Sequence, residues 1–340
     1  MLSFDDLDHL LTETAIRTPA VRLARDGTVL PESSYTRRGA SLAGKPLTGL
    51  VDARRLLRHF DEGATVVLQG LHRYWPPLRD LVAQLELDLG HPCQANAYLT
   101  PPGSQGFSVH SDTHDVFVFQ THGHKRWEVH TDGHVDDVLL EPGLSMYLPT
   151  GTPHAARAQD SVSLHVTLGI NQVTWRQLVE RTVLGLLADV PDAHLPAGYL
   201  DRPDQLATGV REQLDRVADG VRRLDAGDVA QQQVERFLAT RGTRLPGGLR
   251  DVVDVRELSD TTVLSRRPGH PCVLVDTEQG VRVLLGDRTL DVPRRVRGAL
   301  EVVRSRDQLT PADLADHLDA ESRLVLCRRL VREGLLRVTG

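Results

Sequence analysis

Cysteine is scarce and scattered. Cys93, Cys272 and Cys327 stand far apart, with no spacing that would form a disulfide framework or a zinc site. This excludes a small disulfide-stapled domain and fits a reducing compartment. Aromatic residues make up only 4% of the 340 residues, so each tryptophan and tyrosine is more informative than usual. No apolar run approaches the roughly 18 residues that span a bilayer. The first residues, Met1-Leu2-Ser3-Phe4-Asp5-Asp6, lack a basic-then-apolar leader pattern. The expectation is a soluble, cytoplasmic protein with no membrane partner. Positive charge is not in excess either. The formal net charge is -6 at pH 7, which speaks against a general nucleic-acid binder. There is no internal repeat and no low-complexity segment. Arginine far outnumbers lysine, and no chemistry is drawn from that bias.

What is present is ordinary for a globular chain: 40% apolar and 25% charged residues. The length implies two or three domains. Capping residues and apolar stripes predict helices over 3–14 and from Asp52 to Phe60, where Leu56, Leu57 and Phe60 should face inward. Pro76 should open a third helix. Residues 18–48 read as loop with short extended pieces, and 65–69 as a buried β-branched strand. From 94 to 171 the pattern becomes short strands and tight turns, eight strands in all, with one over 107–111. That is the signature of a double-sheet jelly roll, the cupin architecture. Helices follow over 174–188, 204–224 and 229–240, then a Gly/Pro-rich linker at 241–248. Beyond it, short strands precede helices over 293–304, 310–317 and 320–333 and a strand at 335–338, the order of a winged helix. The fold class is therefore mixed α and β and multidomain: a catalytic barrel with N-terminal helices over 1–173, a helical segment over 174–245 and a winged-helix domain over 246–340.

The chemistry concentrates between His110 and His154. His110 and Asp112 are two apart on an expected strand, so their side chains share a face. His154 follows the turn Thr150-Gly151-Thr152-Pro153. Two imidazoles and one carboxylate suit Fe(II) and leave positions open for a cosubstrate and O₂. With 15 histidines in the chain, an ordinary surface His–Asp pair is the competing reading. His114, His122, His124, His130 and His134 are rival ligands. His122 and His124 flank a tight turn and read as solvated, whereas His114 is expected at the mouth of the site.

The run Gln94-Ala95-Asn96-Ala97-Tyr98-Leu99-Thr100-Pro101-Pro102-Gly103-Ser104-Gln105-Gly106-Phe107-Ser108-Val109-His110-Ser111-Asp112 closely resembles the JmjC-type ribosomal oxygenases, the Cupin-4 group. So does the run from Asp115 to Trp127, and His194-Leu195-Pro196-Ala197-Gly198-Tyr199 is similar to a segment that follows the barrel in that family. The resemblance implies an Fe(II)- and 2-oxoglutarate-dependent dioxygenase that hydroxylates an arginine or histidine side chain of a ribosomal protein. It also implies a JmjC barrel, a helical dimerisation segment, a C-terminal winged helix and a homodimer. His110, Asp112 and His154 match the iron ligands, and Lys125 the cation that pairs with the distal carboxylate of 2-oxoglutarate. Asn96 matches a polar residue beside the cosubstrate, and Tyr98 one lining the substrate or cosubstrate pocket. His165 matches a histidine near the metal but not bound to it. Two positions depart from the family. Gly169 stands where a hydroxyl donor is usual, with Thr167 on the same face as the expected substitute, and Leu144 replaces the aspartate of a Pro-Gly-Asp turn. Alternatives are a winged-helix DNA-binding regulator with a ligand-sensing cupin, reading DNA through Arg323, Arg328, Arg329 and Arg332, or an oxygenase acting on a non-ribosomal peptide or small molecule. N-methyl demethylation by the same chemistry is a further variant.

Overall fold

Ser3 opens the first helix, α1 (Phe4–Thr12), with a capping box: its hydroxyl accepts from Asp6 N at 3.1 Å, and Asp6 accepts from Ser3 N at 2.8 Å. Leu7, Leu10 and Leu11 face inward. Asp52 caps α2 (Ala53–Asp61), which buries Leu56; Leu57, expected inward, is exposed. Pro76 starts α3 (Pro76–Leu89), and Gly90 at φ 67° ends it in the left-handed region, which glycine enters without a Cβ clash.

In the computed structural model the chain divides into two units, residues 1–172 and 173–340. It describes residues 1–39, 41–105, 107–242 and 244–339. Apart from four two-residue strands between 36 and 51, the strands of the first unit are β1 (Val21–Arg25), β2 (Thr28–Val29), β3 (Thr65–Leu68), β4 (Cys93–Thr100), β5 (Asp115–His122), β6 (Lys125–Thr131), β7 (His134–Leu140), β8 (Ser145–Leu148), β9 (His154–Ala158) and β10 (Ser163–Ile170). They form a seven-stranded antiparallel sheet in the order β8-β5-β10-β4-β3-β1-β2 and a three-stranded sheet β7-β6-β9.

Alternation along β4 shows what the large sheet does. Cys93, Ala95, Ala97 and Leu99 join one core with Leu7, Leu10, Leu56, Leu78 and Val82 of the three helices. Each fully buried leucine or valine there contributes roughly 1.5–3 kcal/mol. Gln94, Asn96, Tyr98 and Thr100 occupy the other face, toward the small sheet. Part of the space between the sheets is filled by Val116, Val118, Trp127, Val129, Leu140 and Leu148.

Other expectations fare differently in this unit. The short extended pieces expected in 18–48 are present, and the longest, β1, pairs residue by residue with β3 and so belongs to the large sheet. Phe4 is exposed, with the His122 ring 5.3 Å away. Residues 107–111 do not form a strand. That segment touches β9 through two single bridges, Gln105 with Arg157 and His110 with His154. Five steps along one segment therefore face three along the other, so no continuous ladder can form between the bridges. The loop begins with Pro101-Pro102, which cannot donate backbone hydrogen bonds.

The second unit opens with α4 (Trp175–Gly185), a 3-10 turn at Leu186–Asp189, α5 (Pro203–Arg223) and α6 (Ala226–Ala239). Of the linker expected at 241–248, Thr243 lies outside the described residues, and the chain then enters an unexpected short helix, α7 (Gly248–Asp254). Next come β11 (Leu264–Arg266), β12 (Val273–Asp276), β13 (Val281–Leu284), β14 (Thr289–Val292), α8 (Arg297–Ser305), β15 (Gln308–Leu309), α9 (Ala320–Arg332) and β16 (Leu336–Val338). They form two three-stranded sheets, β15-β11-β16 and β12-β13-β14. The helix expected over 310–317 is a single 3-10 turn, Pro311–Leu314, opened by a Thr310–Asp313 capping box. Leu264, Leu300, Cys327, Leu330 and Leu336 anchor this core. The arginines of α9 are largely engaged by the chain itself: Arg323 with Asp260, Arg328 with the Leu258 carbonyl and Arg329 with Glu333. Among the described residues no helix is long and apolar enough to cross a membrane.

Candidate metal centre and its cavity

His110 and His154 face each other across one antiparallel bridge. His110 N donates to the His154 carbonyl at 3.0 Å, and His154 N donates back at 2.8 Å. This hydrogen-bonded pair puts both side chains on one side, with ring centroids 4.5 Å apart. Each imidazole uses its Nδ1 in the same way, 2.9 Å from the carbonyl two residues earlier, Ser108 for His110 and Thr152 for His154. A donating Nδ1 fixes the tautomer and leaves Nε2 as a lone-pair donor. Asp112 lies in irregular chain, not on a strand, and Gly151 N holds its carbonyl at 2.9 Å. Its Oδ2 is 3.8 Å from His154 Nε2.

The turn that presents His154 is pinned from below. Asp115 accepts from Thr150 N at 2.8 Å, Thr150 Oγ1 at 2.7 Å and the Tyr147 hydroxyl at 2.5 Å. Burial alone would raise this carboxyl, but the bonds from Tyr147 and Thr150 outweigh it and hold it down at about 2. Gly151, at φ 82°, supplies the left-handed residue this turn needs.

His110, Asp112 and His154 thus bring one donor atom each within 4.8 Å of one another. That is about twice a metal–ligand bond of ~2.1 Å, as expected for donors sharing one coordination sphere. Burial, with the neighbouring His110 adding to it, lowers the His154 pKa, so its ring is neutral as a ligand must be. Two nitrogens and one carboxylate on one side of the ion suit Fe(II).

The triad opens into a cavity of about 280 Å³ between the two sheets, also lined by Tyr98, Lys125, Thr167, Arg22, Thr65, Phe107, Trp127 and His165. Lys125 is buried at 4% exposure. Its Nζ donates to Thr100 Oγ1 at 2.9 Å, and Thr65 Oγ1 donates to that same oxygen at 3.1 Å. Among the described residues no carboxylate pairs with it. Burial pulls its pKa down to about 7. An ammonium buried in this way calls for an anion from outside the chain. Trp127 Nε1 and His165 Nδ1 are buried without a hydrogen-bond partner, so polar atoms in the cavity wall are left for a ligand or solvent.

The other expected site residues fall in different places. Tyr98 stacks on His165 with centroids 4.8 Å apart and 3° between the planes. Burial raises its hydroxyl pKa, and the Asp112 charge adds to that. His165 lies outside the donor set; burial, helped by the Lys125 charge, holds its pKa well below the usual imidazole value. Asn96 shares the Tyr98 face, but its amide oxygen accepts from Gly70 N at 3.0 Å and it is not among the lining side chains. His114 is not among them either. A Cβ built on Gly169 would stand 2.7 Å from the His114 ring, so the imidazole fills the space a side chain at 169 would need. Arg22, Thr65, Thr100 and Trp127 had not been singled out. The alternation Val21-Arg22-Leu23, with Val21 and Leu23 buried, was the available signal for Arg22.

The JmjC domain family matches residues 77–134 and 129–178, which hold every triad residue and Lys125. The bifunctional lysine-specific demethylase and histidyl-hydroxylase NO66 of Branchiostoma floridae is 37% identical over 151 residues, 42% of this chain and 25% of that protein. The same-named protein of Drosophila mojavensis is 28% identical over 218 residues, 57% of this chain and 23% of that protein. Residues 77–178 of the chain thus match a JmjC domain. The match to curated relatives spans about a quarter of their length. The fold extends further. YcfD, a ribosomal oxygenase from Escherichia coli, superposes with a TM-score of 0.55 at 20% identity, covering 100% of this chain and 91% of that one. A second YcfD structure, in complex with cobalt and 2-oxoglutarate, gives 0.54 at 19% identity, with the same coverage. At this identity the likeness concerns the fold, here a JmjC barrel with helices packed on its large sheet.

Proposed function

We propose that this JmjC protein is an Fe(II)- and 2-oxoglutarate-dependent dioxygenase that hydroxylates an arginine or histidine side chain of a ribosomal or other polypeptide. One observation carries the reading: a three-donor metal site and a buried, unpaired lysine line the same small cavity. Fe(II) with 2-oxoglutarate and O₂ supplies the oxidation, placing one oxygen atom in a substrate C–H bond and the other in succinate, with loss of CO₂. His110, Asp112 and His154 would hold the ion on one side and leave the side toward the cavity open. Lys125, with the Thr100 and Thr65 hydroxyls beside it, would receive the distal carboxylate of 2-oxoglutarate. These hydroxyls replace the donor that Gly169 cannot supply. Thr167 and Tyr98 complete the wall, while His114 acts on Gly169 and not on a ligand. No side chain is needed as a general acid or base.

The polypeptide substrate is supported by the names of the relatives. The second unit is read as a helical dimerisation segment over 174–245 and a winged-helix domain over 246–340, in a cytoplasmic homodimer. Helix α4 supports the dimer: it buries none of its residues, and Trp175 is 83% exposed. The deciding experiment loads the protein with Fe(II) and measures 2-oxoglutarate binding and succinate release, then compares intact masses of ribosomal proteins with and without the gene. A protein that binds no 2-oxoglutarate with metal present defeats the oxygenase reading. Ribosomal proteins of unchanged mass defeat the ribosomal substrate alone.

A further inference from the structure

The cavity contains a second cation that the oxygenase reading does not use. Arg22 is carried by β1, and sheet register places it in a row with Val67, Tyr98 and His165 across four strands. Its guanidinium lies 5.3 Å from the Phe107 ring centroid, and the Phe107 ring is 5.9 Å from His110 and 6.4 Å from Tyr98. Arg22 therefore lines the same cavity as the metal ligands and shares Phe107 as a neighbour with His110. Its Nε is buried without a partner. Among the described residues no carboxylate pairs with it, and Asp112 is the only carboxylate that lines the cavity.

The formal charges have a direct consequence for the target side chain. This step rests on the oxygenase reading. Lys125 and Asp112 cancel, and a divalent metal cancels a 2-oxoglutarate dianion. The loaded site is neutral without Arg22 and carries one surplus positive charge with it. An incoming arginine or lysine would meet that surplus charge, find no free carboxylate, and find the near aromatic face already taken by a guanidinium. A side chain that accepts hydrogen bonds would meet the unused Arg22 donor. We infer that Arg22 is a specificity-determining residue which excludes cationic side chains from the cavity and receives a hydrogen-bond-accepting one. A neutral imidazole or a carboxamide is the class of target that fits.

The test uses the full chain loaded with Mn(II) and 2-oxoglutarate, with no turnover. The probes are pentapeptides of glycine around one central histidine, asparagine, arginine or lysine, capped at both ends, at a pH where the histidine is neutral. Paramagnetic broadening of the central side-chain protons reports entry into the cavity. The histidine and asparagine probes should bind at least about tenfold more tightly than the arginine and lysine probes. Arg22→Gln should remove this preference, and Arg22→Glu should reverse it in favour of arginine and lysine. Equal or tighter binding of the arginine or lysine probe to the unaltered protein overturns the inference, and that result needs no variant to fold. An unchanged ratio in folded Arg22→Gln and Arg22→Glu proteins overturns it as well. Titration calorimetry of 2-oxoglutarate on the same sample tests the oxygenase reading separately. If the dianion stays out, the site is more positive still, and the peptide ratio still judges Arg22.

Discussion

The space between the two sheets has two halves that follow opposite rules. In one, Val116, Val118, Trp127, Val129, Leu140 and Leu148 close on one another. In the other, Lys125, held by Thr100, lines an open cavity with Thr65, Tyr98 and Arg22 beside three convergent donors. Apart from the indole Nε1 of Trp127, the first half meets its needs within the chain. The second leaves an ammonium without a counter-ion and several buried polar atoms without partners, an arrangement that costs stability until a ligand arrives. Val116, Val118, Trp127 and Leu148 touch both halves, so the apolar half is the rigid floor on which the polar half is held.

Substitutions should separate the two. The largest effect is expected at the donor set. His110→Ala should lower metal-dependent 2-oxoglutarate turnover by at least about a thousandfold, roughly 4 kcal/mol, with little change in melting temperature of the metal-free protein. Succinate release together with calorimetry checks this, and near-normal turnover would remove His110 from the site. Leu148→Ala belongs to the apolar half and should do the reverse. It should cost about 2–5 kcal/mol in denaturant unfolding, while the metal affinity of the folded fraction is kept.

Lys125→Met tests the contrast within one residue. It should weaken 2-oxoglutarate binding by about ten- to a hundredfold and raise the stability of the ligand-free protein near pH 7. The pH dependence has a defined sign. Burial holds the Lys125 pKa at about 7, below its ordinary 10.5. The unfolded chain therefore binds more protons between these values, and the ligand-free protein gains stability as pH rises through that window. Binding of the dianion runs the other way. It needs the ammonium, so affinity should fall by up to about tenfold per unit above pH 7, and Lys125→Met should flatten both profiles. If 2-oxoglutarate affinity is untouched by Lys125→Met, the cosubstrate sits elsewhere. The smallest effect is expected for Gly169→Ser. The new side chain must displace the His114 ring, at a cost of about 1–3 kcal/mol, without gaining a carboxylate contact. Tighter 2-oxoglutarate binding in this variant would show that the position still serves the cosubstrate.

Much of the site was legible because its parts are local in sequence. His110, Asp112, the Gly151-containing turn before His154, and Lys125 lie within 45 consecutive residues. Lys125 carried a further signal that went unused: with Lys45 it is one of only two lysines in a chain that otherwise uses arginine. The strand expected over 107–111 was misread because its apolar-polar alternation looks regular, and only the partner segment reveals that the residue counts between bridges do not match. Arg22, Thr65 and Thr100 were missed for another reason. Arg22 and Thr65 reach the cavity only when β1 and β3 add to the sheet edge beside β4, and Thr100 meets Lys125 only when β4 faces β6 of the other sheet.

The sequence determined the donor types, the period-two strands, the helix caps and the lysine between the donors, since these depend on residue identity and near neighbours. Tertiary structure decided which histidines converge, which half of the inter-sheet space stays open, that His114 fills the space beside Gly169, and that Arg22 lines the same cavity as the metal ligands. Those outcomes depend on strand register and on contacts between residues far apart in the chain, and the energies of such contacts exist only once the sheets have closed on each other.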